Sequence, residues 1–481
     1  MLSAKRHAKK LRLEMDSALS YAKWLQAAEE LDSLEGWDEW RKVDECPFFH
    51  LGPVKKQLEE LQGYCNLKSG VKPLLDFVEM SLQRSMGDVT DPELYTRANA
   101  GTKHIVEKYL SAIERALNFL ADIEDERVSI FDRIHLFEKA SRAIGRMALV
   151  LSGGATLGLF HLGVIKALLK RDLLPQIISG SSVGSIIAAT ACSKTDEELD
   201  QIFDDPARIN TQAFGALPLS HVLSSGALMD PELLHDCIRQ NVGDWTFVQA
   251  QERTGRVCNI SVSPTRKRQW PRLLNYLTAP NLLLARTSAI SCAVPGLFPP
   301  QELEARNEKG ETIPYIEEEK WFDGSFHSDL PLERLGQVHN VNHFIVSQTN
   351  PHVLPFMGNN KNSVFGTAYD LVAGSMRIQA AQVLDVARNR VQSSSWRRAL
   401  DVGHAVLRQP YSGNINIHPR FSARTYTKVL SNATVPELEW FILQGERATW
   451  PYVAMIRDRT RIYRTIHQCM ERLQAREQGT C

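Results

Sequence analysis

The stretch Gln176-Ile-Ile-Ser-Gly-Ser-Ser-Val-Gly-Ser-Ile-Ile-Ala-Ala189 constrains this chain more than any other. A short β-branched run meets a small-residue turn, and an apolar helical run follows at once. The turn Gly180-Ser181-Ser182-Val183-Gly184 fits G-x-S-x-G, the pattern of a nucleophile elbow, in which the middle Ser projects from a tight strand-to-helix turn. Such a turn leaves no room for a Cβ on either side, hence the glycines at 180 and 184. Ser182 would then stand at a helix N-terminus, where the positive dipole end favours developing negative charge.

The segment before the elbow has a matching pattern. Met147-Ala-Leu-Val-Leu-Ser152 is a continuous apolar run, as expected of a buried parallel strand. Gly153-Gly154-Ala155-Thr-Leu-Gly158 follows, and Leu159 to Lys170 reads as a helix. This glycine loop lacks the G-x-G-x-x-G of dinucleotide folds and the Gly-Lys-Ser/Thr of a P-loop. Its place one strand-helix unit before Ser182 fits an oxyanion hole, because acyl transfer needs N–H donors where the carbonyl oxygen becomes negative. Strand, loop, helix, strand, elbow, helix predicts a right-handed βαβ unit with its site at the carboxyl ends of the strands. Arg256 to Ser263 alternates like a further strand, and a small-residue helix runs up to Pro295-Gly296.

Asp323-Gly324-Ser325 is a turn signal first. Read chemically, Asp323 would accept the Ser182 proton. A carboxylate at its reference pKa of about 3.9 is a poor base for an alcohol, so partial burial and direct contact with the hydroxyl are required. His327, His339, His343 and His352 follow Asp323, which leaves a Ser-Asp-His hydrolase open as an alternative.

The 481 residues suffice for two or three domains, and 43% hydrophobic with 23% charged residues is ordinary for a globular protein. Lys+Arg and Asp+Glu balance at 56 each, so no global charge points to nucleic acid. Eight scattered cysteines without C-x-x-C argue against a zinc site or a disulfide scaffold and favour reduced thiols in a cytoplasmic setting. The basic start, Lys5 to Arg12, has no apolar core after it and is not a secretory signal. It reads as a solvated helix face, with contact to an anionic lipid surface as the rival reading. No run of about 18 apolar residues predicts a membrane-spanning helix, so a lipid substrate would be reached peripherally. Residues 10–145 read as helices, with Ser129 as a cap and Asp132 three positions on. Trp24, Trp37 and Trp40 lie among charges and are assigned to packing.

Taken together, Gly153-Gly154-x-x-x-Gly158 with His161-x-Gly163-Val164, Gly180-x-Ser182-x-Gly184, and Asp323-Gly324-Ser325 resemble the patatin-like phospholipase family. The resemblance implies Ser182 as nucleophile, Asp323 as base, and oxyanion donors from the amides of Gly153, Gly154 and Ala155, with no metal or organic cofactor. It implies an α/β fold, a three-layer sandwich with a mostly parallel central sheet, plus helical N-terminal and C-terminal regions. The implied division is a helical region at 1–146, the catalytic domain at 147–350 and a mainly helical region at 351–481. Leu274 to Asn281, Ser291 to Pro300, the leader residues Tyr21, Trp24, Asp32, Trp40, Lys103, Glu107 and Tyr109, and Gln409-x-Tyr411-x-Gly413 further resemble the storage-lipid triacylglycerol lipases of that family. Ala155 and Leu157 stand where many patatins have a third Gly and a basic residue. Losing that cation leans toward a neutral glycerolipid. The expected activity is acyl-ester hydrolysis of glycerolipids at a lipid-droplet or membrane surface. The rivals are a phospholipase A or lysophospholipase with the same dyad and a non-enzymatic lipid-binding protein on this fold.

Overall fold

The computed structural model describes residues 2–64, 71–82, 89, 91–123, 128–217, 227–266, 269–324, 329–351, 353–354 and 413–479. Ser325, His327, His352, Gln409, Tyr411 and the helix expected at 367–384 lie outside them. The chain divides into two compact units. One comprises residues 1–146, 338–343 and 450–481, and the other residues 147–337 and 344–449. Within the region expected to be mainly helical at 351–481, helix Val435–Thr449 belongs to the second unit and helix Val453–Gly479 to the first.

The helical reading of the first unit holds. Its long helix His104–Asp122 buries one face through Tyr109, Ile113, Ala116, Leu117 and Leu120, the i, i+3, i+4 stripe of an amphipathic helix. Ser129 and Asp132 form a reciprocal capping box on helix Ile130–Ile144, as their spacing predicts. The leader residues that carry the family resemblance hold this unit together. Buried Asp32 accepts from Asn99 N, Asn99 Nδ2 and Ala100 N at 2.7–2.9 Å. Buried Lys103 donates to the carbonyls of Trp40 and Val43 at 2.8 and 2.6 Å and lies 4.3 Å from the centroid of the Trp40 ring. Without these partners each charge would be left dry, at a cost of a few kcal/mol. The basic start is helical, with Ala8 and Leu11 packed on Ala27 and Leu31; Lys10 and Arg12 pair with Glu14 and Glu35, and the His7 ring lies 2.8 Å from Glu30.

Most residues of a seven-stranded sheet fall in the second unit. The strands are β1 Arg146–Leu151, β2 Ile177–Gly180, β3 Val257–Pro264, β4 Arg272–Leu274, β5 Trp321–Asp323, β6 Val341–Ser347 and β7 Ile415–Ile417. The order is β4-β3-β2-β1-β6-β7, with β5 also on β3. β1–β2, β2–β3 and β6–β7 are parallel, while β4 and β5 run antiparallel to β3. Residues 147–151 of β1 and all of β2 and β3 are buried, which explains their near-continuous apolar runs. Helix Phe160–Leu169 follows β1, as expected, and buries eight residues. It meets helix Val435–Thr449 so closely that a Cβ on Gly163 would lie 1.8 Å from the Ile442 carbonyl oxygen, and one on Gly445 2.2 Å from that of Phe160. His161, on the same helix, is fully enclosed: Nδ1 lies 2.7 Å from Ser347 Oγ and Nε2 3.0 Å from the Ser152 carbonyl. Burial lowers its pKa to about 4, against the pull of the Ser152 carbonyl.

Two outcomes follow from this packing. Gly445→Ala should push the helix pair apart and lower stability by about 2–3 kcal/mol in denaturant titration, the cost of overpacking; an unchanged midpoint would contradict the contact. Between pH 6.5 and about 4 an unfolded chain protonates the residue-161 imidazole while the folded chain does not, so its contribution to stability is lost as pH falls through that window. The stability advantage of wild type over His161→Gln should therefore shrink by about 3 kcal/mol between pH 7 and 4. A pH-independent difference would show that the imidazole is not held neutral.

Candidate active site

β2 ends at Gly180, and helix Val183–Ser193 begins three residues later with Ser182 as its cap residue. Ser182 has φ 52° and ψ −130°, outside the regions open to ordinary L-residues. The flanking glycines make this possible. A Cβ on Gly180 would sit 2.1 Å from the Gly184 carbonyl oxygen, and one on Gly184 2.3 Å from that of Leu151. The elbow read from G-x-S-x-G is therefore formed, with Ser182 at the start of an 11-residue helix.

Three segments converge on Ser182. The first is the turn Ser291–Ala293, just after helix Leu284–Ser291. Ser182 N–H donates to Ser291 Oγ at 3.0 Å, and that hydroxyl donates to the Ser261 carbonyl of β3 at 2.8 Å. Asp323 ends β5 opposite Val262 and is fully buried; its N–H donates to the Ala293 carbonyl at 3.1 Å. Between these two anchor points lies Cys292, whose thiol contacts the Ser182 side chain and feels the Asp323 carboxylate. Burial is the main cause that holds this thiol in its neutral form. One three-residue turn thus grips both the elbow Ser and the acid expected as its base. Gly324 is forced in the same way as Gly180, since a Cβ there would meet the Ser261 carbonyl oxygen at 2.3 Å.

The second segment is the glycine loop. A Cβ on Gly153 would lie 3.4 Å from Ser182 Cβ, so the loop backbone faces the nucleophile directly. Gly154 has φ 147°, with Thr349 2.5 Å from where its Cβ would be, and Ala155 adopts φ 48° in the left-handed region. Ala155 holds that conformation where many patatins have glycine, at a cost of about 1–2 kcal/mol. Gly153 N–H donates to Asp329 Oδ1 at 2.9 Å. Among the described residues, the N–H groups of Gly154 and Ala155 meet no backbone or side-chain acceptor. Leu157 is fully buried, so its position faces core and not solvent.

The third segment, Ser347–Asn350 after β6, fastens that loop. Thr349 Oγ1 and Ser152 Oγ both donate to the Gly153 carbonyl at 2.8 Å, and Thr349 N–H donates to Ser152 Oγ at 2.8 Å. Neither Thr349 nor Asn350 carries a motif that marks it in the sequence, and Ser291 is marked only as the start of the resembling stretch Ser291 to Pro300. Asp329, in Asp329-Leu-Pro331, bears no local sequence signal of its bond to Gly153. Asn275, noticed only through resemblance, is buried and holds the β4 turn, donating to Asn259 Oδ1 at 3.0 Å. Of the histidines after Asp323, His339 ends helix Leu332–His339 and His343 lies within β6.

A cavity of about 320 Å³ opens beside Ser182. Ala155, Ser182 and Cys292 share its wall with Leu162, Ile187, Leu234, Ile238, Val294 and Phe298, while Lys194, Glu198 and Arg208 supply polar lining. Such a space accepts an aliphatic chain and presents an attached carbonyl to the Ser182 hydroxyl. On the β4 side, Trp270 is 81% exposed, and Arg266 pairs with Glu319 at 3.1 Å. Among the described residues no helix is long and apolar enough to cross a membrane.

Comparison with known proteins gives the same answer from a separate direction. Residues 149–335 match the family model described as patatin-like phospholipase, and residues 1–142 match a domain of unknown function, DUF3336. The chain is 31% identical over 478 residues to the triacylglycerol lipase SDP1L of Arabidopsis thaliana, covering 95% of this chain and 58% of that protein. It is 33% identical to triacylglycerol lipase 4 of Saccharomyces cerevisiae, covering 92% of this chain and 50% of that one. It is 31% identical to the triacylglycerol lipase ptl3 of Schizosaccharomyces pombe, covering 93% of this chain and 94% of its relative. The chain thus spans about half the length of the first two relatives and nearly all of the third. With its patatin domain, its helical leader and these relatives, this chain belongs to the patatin-like phospholipase family.

Proposed function

We propose that this chain is a serine acyl-ester hydrolase of neutral glycerolipids that works through a covalent acyl-enzyme. The observation that carries the reading is the shared turn: Ser291 accepts from Ser182 N–H and Ala293 accepts from Asp323 N–H, with the Cys292 thiol against Ser182. That arrangement supports a Ser-Asp dyad. The Ser182 hydroxyl attacks the ester carbonyl carbon while Asp323 takes its proton. The C–O bond to the alcohol then breaks, and the proton passes to the departing alkoxide. Water enters by the same route and gives up a proton to Asp323 as its oxygen bonds the acyl carbon; the bond to Ser182 Oγ then breaks, the proton returns to Oγ, and the fatty acid leaves. Asp323 is shielded from bulk water, so its contact with the hydroxyl meets little competition.

The developing oxyanion is met by the Gly154 and Ala155 amides, with the N-terminus of helix Val183–Ser193 behind them. Each amide is worth about 3 kcal/mol to the transition state. Gly153, the third residue of the predicted hole, spends its N–H on Asp329 and serves as the anchor of the other two. The apolar cavity wall and the triacylglycerol lipase relatives favour a neutral glycerolipid over a phospholipid. The substrate would be reached at a lipid-droplet or membrane surface, with exposed Trp270 suited to such an interface.

The test is a panel of triolein, diolein, phosphatidylcholine and lysophosphatidylcholine, assayed with wild type, Ser182→Ala and Asp323→Asn. Wild type should release fatty acid fastest from the neutral lipids, and either substitution should cut this at least 10³-fold. Greater activity on phosphatidylcholine would replace the substrate assignment. Activity in Ser182→Ala within tenfold of wild type would remove the mechanism.

A further inference from the structure

Asp329 is a second buried carboxylic acid at this site, and the dyad does not use it. It is 1% exposed. Its Oδ1 accepts from Gly153 N–H at 2.9 Å and its Oδ2 from Asn350 Nδ2 at 2.6 Å. We propose that Asp329 is a positioning residue for ester cleavage: it clamps the Gly153 peptide so that the next two amides, Gly154 and Ala155, stay aimed at the carbonyl attacked by Ser182. The inference rests on the reading of the site given above.

The geometry makes the clamp specific. Gly153 is pinned on both sides, its carbonyl by Thr349 and Ser152 hydroxyls and its N–H by Asp329. The carbonyl bonds hold the Gly153–Gly154 peptide and leave the Ser152–Gly153 peptide before it free to turn. The Asp329 bond fixes that preceding unit, so two consecutive peptides are held just ahead of a glycine at φ 147° and an alanine at φ 48°. An oxyanion hole gains from donors already in place before reaction, so a tilt of this peptide costs rate rather than substrate binding. Asn350, against the same loop, fixes the carboxyl in turn.

A carboxyl group also suits its neighbourhood. Burial raises the Asp329 pKa to about 7, with the Asp323 charge adding to the rise and the Gly153 and Asn350 donors opposing it. Near neutrality the group readily gives up its charge beside Asp323, and in either state one oxygen still accepts from Gly153.

The experiment compares wild type, Asp329→Ala, Asp329→Asn and Asn350→Ala in the full chain. It uses a chromogenic butyrate ester, fluorophosphonate labelling of Ser182, and hydrogen exchange at the Gly153 amide. Asp329→Ala should lower kcat about 100-fold with KM within threefold, and speed Gly153 exchange at least 100-fold while amides of β3 change less than threefold. Asp329→Asn, which keeps an acceptor, should recover at least tenfold of the lost kcat. Asn350→Ala should lower kcat about tenfold at unchanged KM, and it carries the test should Asp329→Ala fail to fold. The proposal is overturned if kcat stays within threefold of wild type in Asp329→Ala or Asn350→Ala, if the Asn variant is no better than the Ala variant, or if Gly153 exchange does not move. A wild-type chain that neither cleaves the ester nor takes the label overturns the hydrolase reading and this role with it. An active wild type with indifferent Asp329 variants overturns this role alone.

Discussion

Ser182 stands where it does because two backbone segments meet with no side chain between them. The carbonyls of Leu151 and Gly184 occupy the volume that a Cβ at positions 184 and 180 would need. The chain leaving β2 must therefore turn at once, and the turn drives Ser182 to φ 52°. Strain of this kind costs on the order of 1–3 kcal/mol and persists only when its surroundings over-determine it. Those surroundings are visible: Ser182 N–H is held by Ser291, and the Ser182 carbonyl accepts from Ser185 N–H and Ser185 Oγ at 2.8 and 2.6 Å.

From that point the site assembles by sheet register. β2 and β3 run parallel with Gly180 beside Ile260, and β5 comes back along β3 with Asp323 beside Val262. The two residues reach the same end of the sheet from opposite strand directions. The Ser291–Ala293 turn closes the gap by bonding to both. On the other side, β1 delivers the glycine loop, and Ser347–Asn350 after β6 fixes it. Each group meant to meet charge thus sits on a buried strand end or helix start and not on a free loop, which suits electrostatic preorganisation.

The parts legible in the sequence were those with a strong local cause. Apolar runs fixed β1 and β2, and the Ser129–Asp132 spacing fixed a helix start. Gly180 and Gly184 announced a turn without room for side chains. The acid at 323 was legible only together with the elbow and the resemblance, since Asp-Gly alone is a turn signal. What stayed hidden depends on tertiary register. Nothing local in Ser291, Thr349 or Asn350 says that it will lie beside a loop more than a hundred residues away. The engagement of Gly153 N–H by Asp329 is of the same kind, and it sets that amide apart from those of Gly154 and Ala155. His161 shows the converse: a residue noticed by motif turned out to hold a helix to Ser152 and Ser347.

The central claim is that an acyl group passes through a covalent bond to Ser182. The most direct measurement is peptide mass spectrometry of the protein quenched within its first turnovers on a slowly hydrolysed long-chain ester. The account predicts one added acyl mass, confined to the peptide bearing Ser182 and missing from Ser182→Ala. Acyl mass on another residue, or full turnover with no acylated peptide at any quench time and no label at Ser182, would contradict it.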